Sequence, residues 1–177
     1  MWIKPTSNTG DQKIFSKVTT DFKDGFILGY VNGKIVYELL GAVNTYVLNS
    51  NESVAVEVWT HIAVTCSSGD KMKIYLNGEL DAERSIGEYA PYFNSSDVLI
   101  GAASWQPTAN YSNSTFDEIR YWHTDLSQET IKKYLHLELT EEHPNTTELG
   151  LYLPLDGTDA TLLIDESLDI HGDSELY

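Results

Sequence analysis

Along this chain, apolar and polar residues alternate with a period of two over short stretches. Each stretch is cut off by glycine, asparagine, proline or serine, the pattern of half-buried β-strands separated by turns. The clearest instance is Trp59–Gly78, WTHIAVTCSSGDKMKIYLNG. Trp59, Ile62, Val64 and Cys66 mark a first strand, and Ser67–Asp70 breaks it. Met72, Ile74 and Leu76 then alternate strictly up to the turn dipeptide Asn77-Gly78.

The same reading extends upstream. Met1–Pro5 is the end of a strand, stopped by Pro5 and the polar run Thr6–Asp11. Ile14–Val18 is a short strand. Phe26, Leu28 and Tyr30 lead into the hairpin signal Asn32-Gly33, and Ile35–Leu39 returns. Tyr46–Leu48 follows, and Val54–Glu57 leads into the Trp59–Gly78 pair. Trp2, Trp59 and Trp122 all fall in strands and are expected in or near the core.

Downstream, Leu80–Ile86, Val98–Gly101 and Phe116–Trp122 are further strands. Two loops separate them: Glu88–Asp97, carrying Tyr89 and Tyr92, and the long polar stretch Ala102–Thr115, carrying Trp105 and Tyr111. Loops of that length in compact domains are functional or disordered. One helix is predicted, with Ser127 as its N-cap, Glu129 in the first turn and Lys132-Lys133 near the other end, where each suits the helix dipole. Ile131, Tyr134 and Leu135 fall at helical spacing. One short helix among many short strands predicts an all-β, two-sheet antiparallel sandwich.

Thr140–Glu148, TEEHPNTTE, is polar and linker-like. The division is therefore a sandwich over residues 1–139, a linker-like turn over 140–148 and a strand-rich tail over 149–177. The chain already looks like strand at Trp2-Ile3, which suggests a piece of a longer protein.

Composition narrows the role. Eleven Lys and Arg against 27 Asp and Glu give a net charge of −16. That excludes a phosphate-backbone binder, which needs clustered cations, and disfavours docking on an anionic membrane. It is compatible with a hard cation held by carboxylates, and equally with an acidic surface suited to a salty or extracellular medium. The single cysteine, Cys66, has no internal partner and sits within a strand. No apolar run reaches the length of a membrane span. Five N-x-[ST] sequons, at Asn51, Asn94, Asn110, Asn113 and Asn145, would mark surface loops in a secreted eukaryotic protein.

Several stretches together resemble the laminin-G-like domains of the concanavalin-A-like lectin/glucanase superfamily. WTHIAVTCSSGDKMKIYLNGEL is similar to that family's central hairpin, VLIGA to a buried strand, and FDEIRYWHTDLSQETIKKY to its Asp-Glu strand with the capped helix that follows. WIKP and IFSK match early strands. The resemblance implies a jelly-roll sandwich with one short helix after the Asp-Glu strand. It also implies a non-catalytic extracellular or cell-surface module within a larger protein, binding a glycan or cell-surface protein beside flanking domains. A structural spacer repeat without a ligand, or a divergent glycoside hydrolase, are the alternatives. The tail LGLYLPLDGTDATLLIDES resembles the opening of such a domain, displaced to the C-terminus. It either completes this sandwich or begins a following repeat. Folding back is preferred, because unpaired strands would be an aggregation hazard.

The chemistry follows. Superfamily glucanases carry Glu-x-Asp-x-(x-)Glu on one strand face, and no such motif occurs here; Asp117 and Glu118 are adjacent and face opposite ways. The expectation is therefore no enzyme. The five histidines lack metal-ligand spacing, and His61 is expected to pack and hydrogen-bond inside the sandwich. The resemblance implies one structural calcium ion, with Asp117 as a ligand and Asp165 as a second if the tail folds back. Asp117 could instead bond a turn or pair with Arg120. Ligand contacts are expected from Trp105 and Tyr111 in the long loop and from Tyr89 and Tyr92 in the one before it, since sugars are gripped by aromatic faces.

Overall fold

Twelve strands and one helix carry the chain in a computed structural model that describes residues 1–19, 21, 24–87, 89, 96–103, 110–156 and 167. They are β1 (Trp2–Pro5), β2 (Asp11–Val18), β3 (Gly25–Val31), β4 (Lys34–Leu40), β5 (Thr45–Asn49) and β6 (Thr60–Cys66). Then come β7 (Lys71–Leu76), β8 (Glu79–Ser85), β9 (Leu99–Ile100), β10 (Ser114–Asp117), β11 (Ile119–Trp122), α1 (Gln128–Tyr134) and β12 (Leu149–Leu153). One sheet has the order β10-β1-β6-β7-β8, the other β5-β4-β3-β2-β9, and β11 and β12 form a two-stranded ribbon. All the ladders are antiparallel. The protein is an all-β two-sheet sandwich with one short helix.

Alternation decides which side chains meet. Ile3, Ile62, Met72 and Ile74 come from one sheet, and Ile14, Leu28, Tyr37 and Leu39 from the other; all are buried in one cluster. Each such side chain contributes about 1.5–3 kcal/mol when taken from water. Tyr30, also fully buried, satisfies its hydroxyl by donating to the Val54 carbonyl at 2.9 Å.

The two Asn-Gly dipeptides turn the hairpins. Asn32 and Gly33 take φ of 49° and 86°, Asn77 and Gly78 of 51° and 80°. Both residues of each turn are left-handed, as a type I′ hairpin requires. Gly78 has a second duty. A Cβ there would stand 2.8 Å from Lys132 Cγ and 2.9 Å from Leu135 Cδ2, so its bareness lets α1 lie on the β7–β8 turn.

α1 begins as its sequence predicts: Ser127 Oγ accepts the Thr130 N–H at 3.1 Å. At the far end, Trp2 Nε1 donates to the Leu135 carbonyl at 3.0 Å, tying the helix to β1.

Three local expectations are corrected. Phe116–Trp122 is not one regular strand. Glu118, at φ 51°, breaks it, so that β10 pairs with β1 while β11 pairs with β12. The cause lies in the partners: Glu118 accepts from Arg120 Nε at 3.0 Å and from the Tyr152 hydroxyl at 3.0 Å. Asp117 does not pair with Arg120; that guanidinium is taken by Glu118 and by the carbonyls of Tyr134 and Leu137. Trp59 is not core. It precedes β6, is 41% exposed, and carries Lys4 Nζ over its ring at 5.6 Å.

β12 lies along β11, with Ile119 opposite Leu153 and Tyr121 opposite Leu151. Leu153 is buried in the main core, while Leu139, Leu149 and Tyr152 form a smaller cluster with Trp122. Within 140–148, His143 is buried, its ring 4.5 Å from that of Trp122 and 4.3 Å from that of Tyr134. His61 is buried edge-on against Trp2 at 5.3 Å, and its Nδ1 has no hydrogen-bond partner among the described residues.

Candidate functional site

At one end of the sandwich, a short segment crosses from the second sheet to the first. It starts beside β2, where the Lys13 N–H donates to the Asn110 carbonyl at 2.8 Å and the Ser112 N–H to the Gly101 carbonyl at 2.9 Å. It ends at β10, where the Asn113 carbonyl accepts both the N–H and the hydroxyl of Thr6 at 2.8 Å. Between these anchors stands Tyr111, 52% exposed.

Gln12 locks the crossing from beneath. It is buried; its Oε1 accepts the Asn113 N–H at 2.8 Å, and its Nε2 donates to the Ser7 carbonyl at 2.9 Å and the Thr9 carbonyl at 3.3 Å. One side chain thus joins the Thr6–Gly10 loop to the Asn110–Asn113 segment. A buried amide with its capacity spent on backbone groups is costly to disturb. The rim above it is polar, and Lys13 Nζ, itself buried, is held by Asp11 at 2.7 Å and lies 3.8 Å from Glu38. An exposed ring on a fixed base with hydrogen-bonding neighbours is the arrangement that grips a sugar face.

Tyr89 is placed differently. Its hydroxyl donates to the Leu40 carbonyl at 2.9 Å, its ring meets Tyr46 edge-on at 5.5 Å, and it lies where a Cβ on Gly41 would fall, 2.9 Å from Cε2. Burial pushes its phenol up to about 12. Leu40 pairs with Gly25, which pairs with Val18, at the opposite end of β2 from Lys13. Tyr89 and Tyr111 are therefore separated by roughly 17 Å of strand and do not share a site. Trp105 and Tyr92 lie outside the described residues.

Asp117 stands at the end of β10, opposite Trp2, about 13 Å of strand beyond Asn113. Its Oδ1 accepts the Glu118 N–H at 3.0 Å. Burial holds its carboxyl above the ordinary value; the Glu118 N–H works against this, and the charge of Asp156 adds to it. Two acidic side chains that repel each other fit one end of a hard-cation site. Among the described residues, no third Asp, Glu, His or Cys completes a group with them. Asp165 lies outside the described residues.

One residue that matters here was not singled out from the sequence, and another was assigned to the core. Gln12 carries no motif, and only its burial beneath two loops reveals its role. Trp59 is a second exposed aromatic: it is one position out of phase with Ile62, Val64 and Cys66, which face the core, and so falls on the opposite side of the strand line.

The sandwich and its matching stretches define a class, and comparison with known proteins agrees. The profile of a laminin G family in the concanavalin A-like lectin/glucanases superfamily matches residues 1–132. This chain belongs to that family. It is similar to the human adhesion G-protein coupled receptor D1, 27% identical over 144 residues that make up 77% of this chain and 16% of the receptor. The cattle receptor of the same name is 32% identical over 85 residues, 48% of this chain and 9% of that protein. The chain thus spans a small part of these relatives. Among solved structures, a candidate carbohydrate-binding protein of Bacteroides ovatus shares the fold with a TM-score of 0.67 at 19% identity, over 93% of this chain and 47% of that one. A SAP-like pentraxin of Limulus polyphemus follows at 0.58 and 20% identity, covering 74% of this chain and 65% of that one. The receptor-binding domain of botulinum neurotoxin D gives 0.53 and 19%, with coverages of 75% and 34%.

Proposed function

We propose that this chain is a non-catalytic binding module presented outside the cell, and that it recognises a glycan at the Tyr111 rim. The observation that carries this reading is the exposed Tyr111 ring on a segment anchored at Lys13, Gly101 and Thr6 and locked by Gln12. A rigid aromatic face gives a ligand large contact area at little entropic cost. The adhesion receptors and the candidate carbohydrate-binding protein among its relatives support a role in extracellular recognition. The acidic surface fits a neutral or cationic ligand better than a sulfated one.

The test is a glycan array probed with the chain and with Tyr111→Ala. Binding lost on truncation, with the thermal midpoint unchanged, supports the site. Unaltered binding removes it. A cell-surface protein bound at the same rim is the second outcome the array distinguishes, since it leaves the glycans unbound while retaining Tyr111-dependent attachment to cells.

The calcium reading is also a proposal. The ion would be held by Asp117, with Asp165 as the second ligand expected from the sequence and Asp156, whose charge reaches Asp117, as a further carboxylate, and with carbonyls and waters completing the six to eight oxygens it needs. Its role would be to brace the β10–β11 junction rather than to take part in a reaction.

A further inference from the structure

From Asn110 to Phe116 burial alternates residue by residue. Tyr111, Asn113 and Thr115 are exposed, while Ser112 and Ser114 turn inward with their hydroxyls closed off from solvent. This is the period of extended chain, in which residues two apart share a face at a spacing of about 7 Å. An exposed aromatic ring, an exposed asparagine and an exposed threonine therefore stand on one side of the crossing. Asn113-Ser114-Thr115 is an N-x-[ST] sequon, and Tyr111 stands two residues before its asparagine.

The backbone of Asn113 is fixed and its side chain is spare. The N–H donates to Gln12 Oε1 at 2.8 Å, and the carbonyl accepts from Thr6. Among the described residues, no hydrogen bond involves its side-chain amide. The other sequons are built differently. Asn51 spends its amide on the Asp81 carbonyl and its N–H on the Asp81 carboxylate. Asn110 is half-buried at a φ of 61°, and its carbonyl holds Lys13. Asn145 is half-buried beside His143, whose Nδ1 accepts its N–H at 3.1 Å. Asn94 lies outside the described residues. The oligosaccharide is transferred to an unfolded chain, so the fold decides which acceptor can carry it without breaking a native contact.

We infer that Asn113 is an N-glycosylation site and that Tyr111 is the platform on which its first N-acetylglucosamine lies. The co-reactant is an oligosaccharide joined through a diphosphate to a polyprenyl lipid. Asn113 Nδ2 bonds to C1 of the terminal N-acetylglucosamine, the C1–O bond to the diphosphate breaks, and the lipid diphosphate leaves with the electron pair. The amide gives up one proton, and the backbone bonds to Gln12 and Thr6 are untouched. The C–H face of the sugar then meets a ring that otherwise stands half in water. Both partners are already held by the locked segment, so little entropy opposes the contact. The inference rests on the extracellular placement proposed above. A ring covered by the chain's own sugar is closed to any other glycan, so the modification shuts the Tyr111 rim.

The test compares the chain secreted from cultured eukaryotic cells behind a cleavable leader with the chain made in bacteria that lack the transferase. Each is prepared as the wild type, Thr115→Val, Tyr111→Ala and the double variant. Thr115→Val removes the sequon hydroxyl and keeps the side-chain shape. Enzymatic release in heavy-oxygen water, followed by peptide mass mapping, is expected to mark Asn113 as occupied in most secreted molecules and in none of Thr115→Val. An unmodified Asn113 overturns the inference. Among the secreted proteins, Thr115→Val is expected to lower the thermal midpoint by about 2–4 °C more when Tyr111 is present than in the Tyr111→Ala background. Among the bacterial proteins the two drops are equal, which removes any effect of the valine itself. Equal drops in the secreted set overturn the contact with Tyr111. On the glycan array, the bacterial chain is expected to bind and the secreted chain is not; equal binding by both overturns the covered ring. A bacterial chain that binds no glycan removes the recognition reading alone, and occupancy and midpoints still decide the inference.

Discussion

Gln12 Oε1 accepts the Asn113 N–H at 2.8 Å, and through that bond the Thr6–Gly10 loop and the Tyr111 segment hold one another. Gln12→Leu keeps the volume and removes the amide. It leaves one backbone N–H and two carbonyls without their partner, at about 1–3 kcal/mol for each group that stays buried. The expected loss, read by urea unfolding, is therefore at least 1–3 kcal/mol, and glycan affinity falls with it because the ring loses its base. Unchanged stability would show that water replaces the amide at no cost.

Tyr111→Ala is expected to separate from this. The ring is half exposed, so its truncation changes stability by less than about 0.5 kcal/mol. Its effect belongs in the binding constant alone. Lys13→Met should behave otherwise: Lys13 is buried and paired with Asp11, so its loss lowers stability and leaves the ring in place.

Arg120 holds Glu118 in its left-handed turn and bonds the carbonyls of Tyr134, the last residue of α1, and of Leu137 just past it. Arg120→Met leaves the Glu118 carboxylate inside without its counter-charge and is expected to cost about 3–5 kcal/mol. Adding Glu118→Gln should restore part of that loss, because the stranded charge is gone. Chemical denaturation of both variants checks it. A double variant no more stable than the single one would place the role of Arg120 in its carbonyl bonds.

Acid should weaken the fold through two histidines. Burial lowers His61 to about 2 and His143 to about 4. In the unfolded chain both take a proton near 6.5. Between about pH 6.5 and 4 the unfolded state binds more protons, so stability falls as the pH falls. The slope is up to about 1.4 kcal/mol per pH unit for each imidazole. The His61 contribution continues below pH 4. His61→Phe, which also removes an unpartnered buried Nδ1, should flatten the dependence measured by thermal unfolding across this window.

For calcium, the expected result is a thermal midpoint that drops on chelation and returns when the ion is added back in excess. At a hundred times Kd, that stabilisation is about 2.7 kcal/mol. Asp117→Asn should abolish the response. A midpoint indifferent to chelator removes the ion from the account of this fold.

Much of the fold was legible along the chain because its signals are local. Period-two alternation named the strands around Asn32-Gly33 and Asn77-Gly78, and both dipeptides adopt the left-handed turn they announce. Ser127 caps the helix it was expected to cap. Trp59 and Glu118 show where local pattern stops informing. Trp59 reads as the apolar start of a strand, but it is out of phase with Ile62, Val64 and Cys66 and strand pairing begins one residue later, at Thr60 opposite Ile3, so the ring is left outside. Glu118 sits inside a strand-like run, but a guanidinium and a phenol from distant positions pull it out of line. The candidate site was legible only in part, because which loops meet depends on which strand ends lie together. Tyr89 and Tyr111 occupy neighbouring loops in sequence and opposite ends of the sandwich in space.

The sequence by itself determined most of the strands, the hairpin turns and the helix, each resting on spacing within about a dozen residues, and the family, which rests on the order of several such stretches. Only the tertiary structure decided that Gln12 is the lock of the rim and that Tyr111 stands apart from Tyr89. Those are facts about partners far apart along the chain. Register and burial, which bring such partners together, are properties of whole sheets and not of any one stretch.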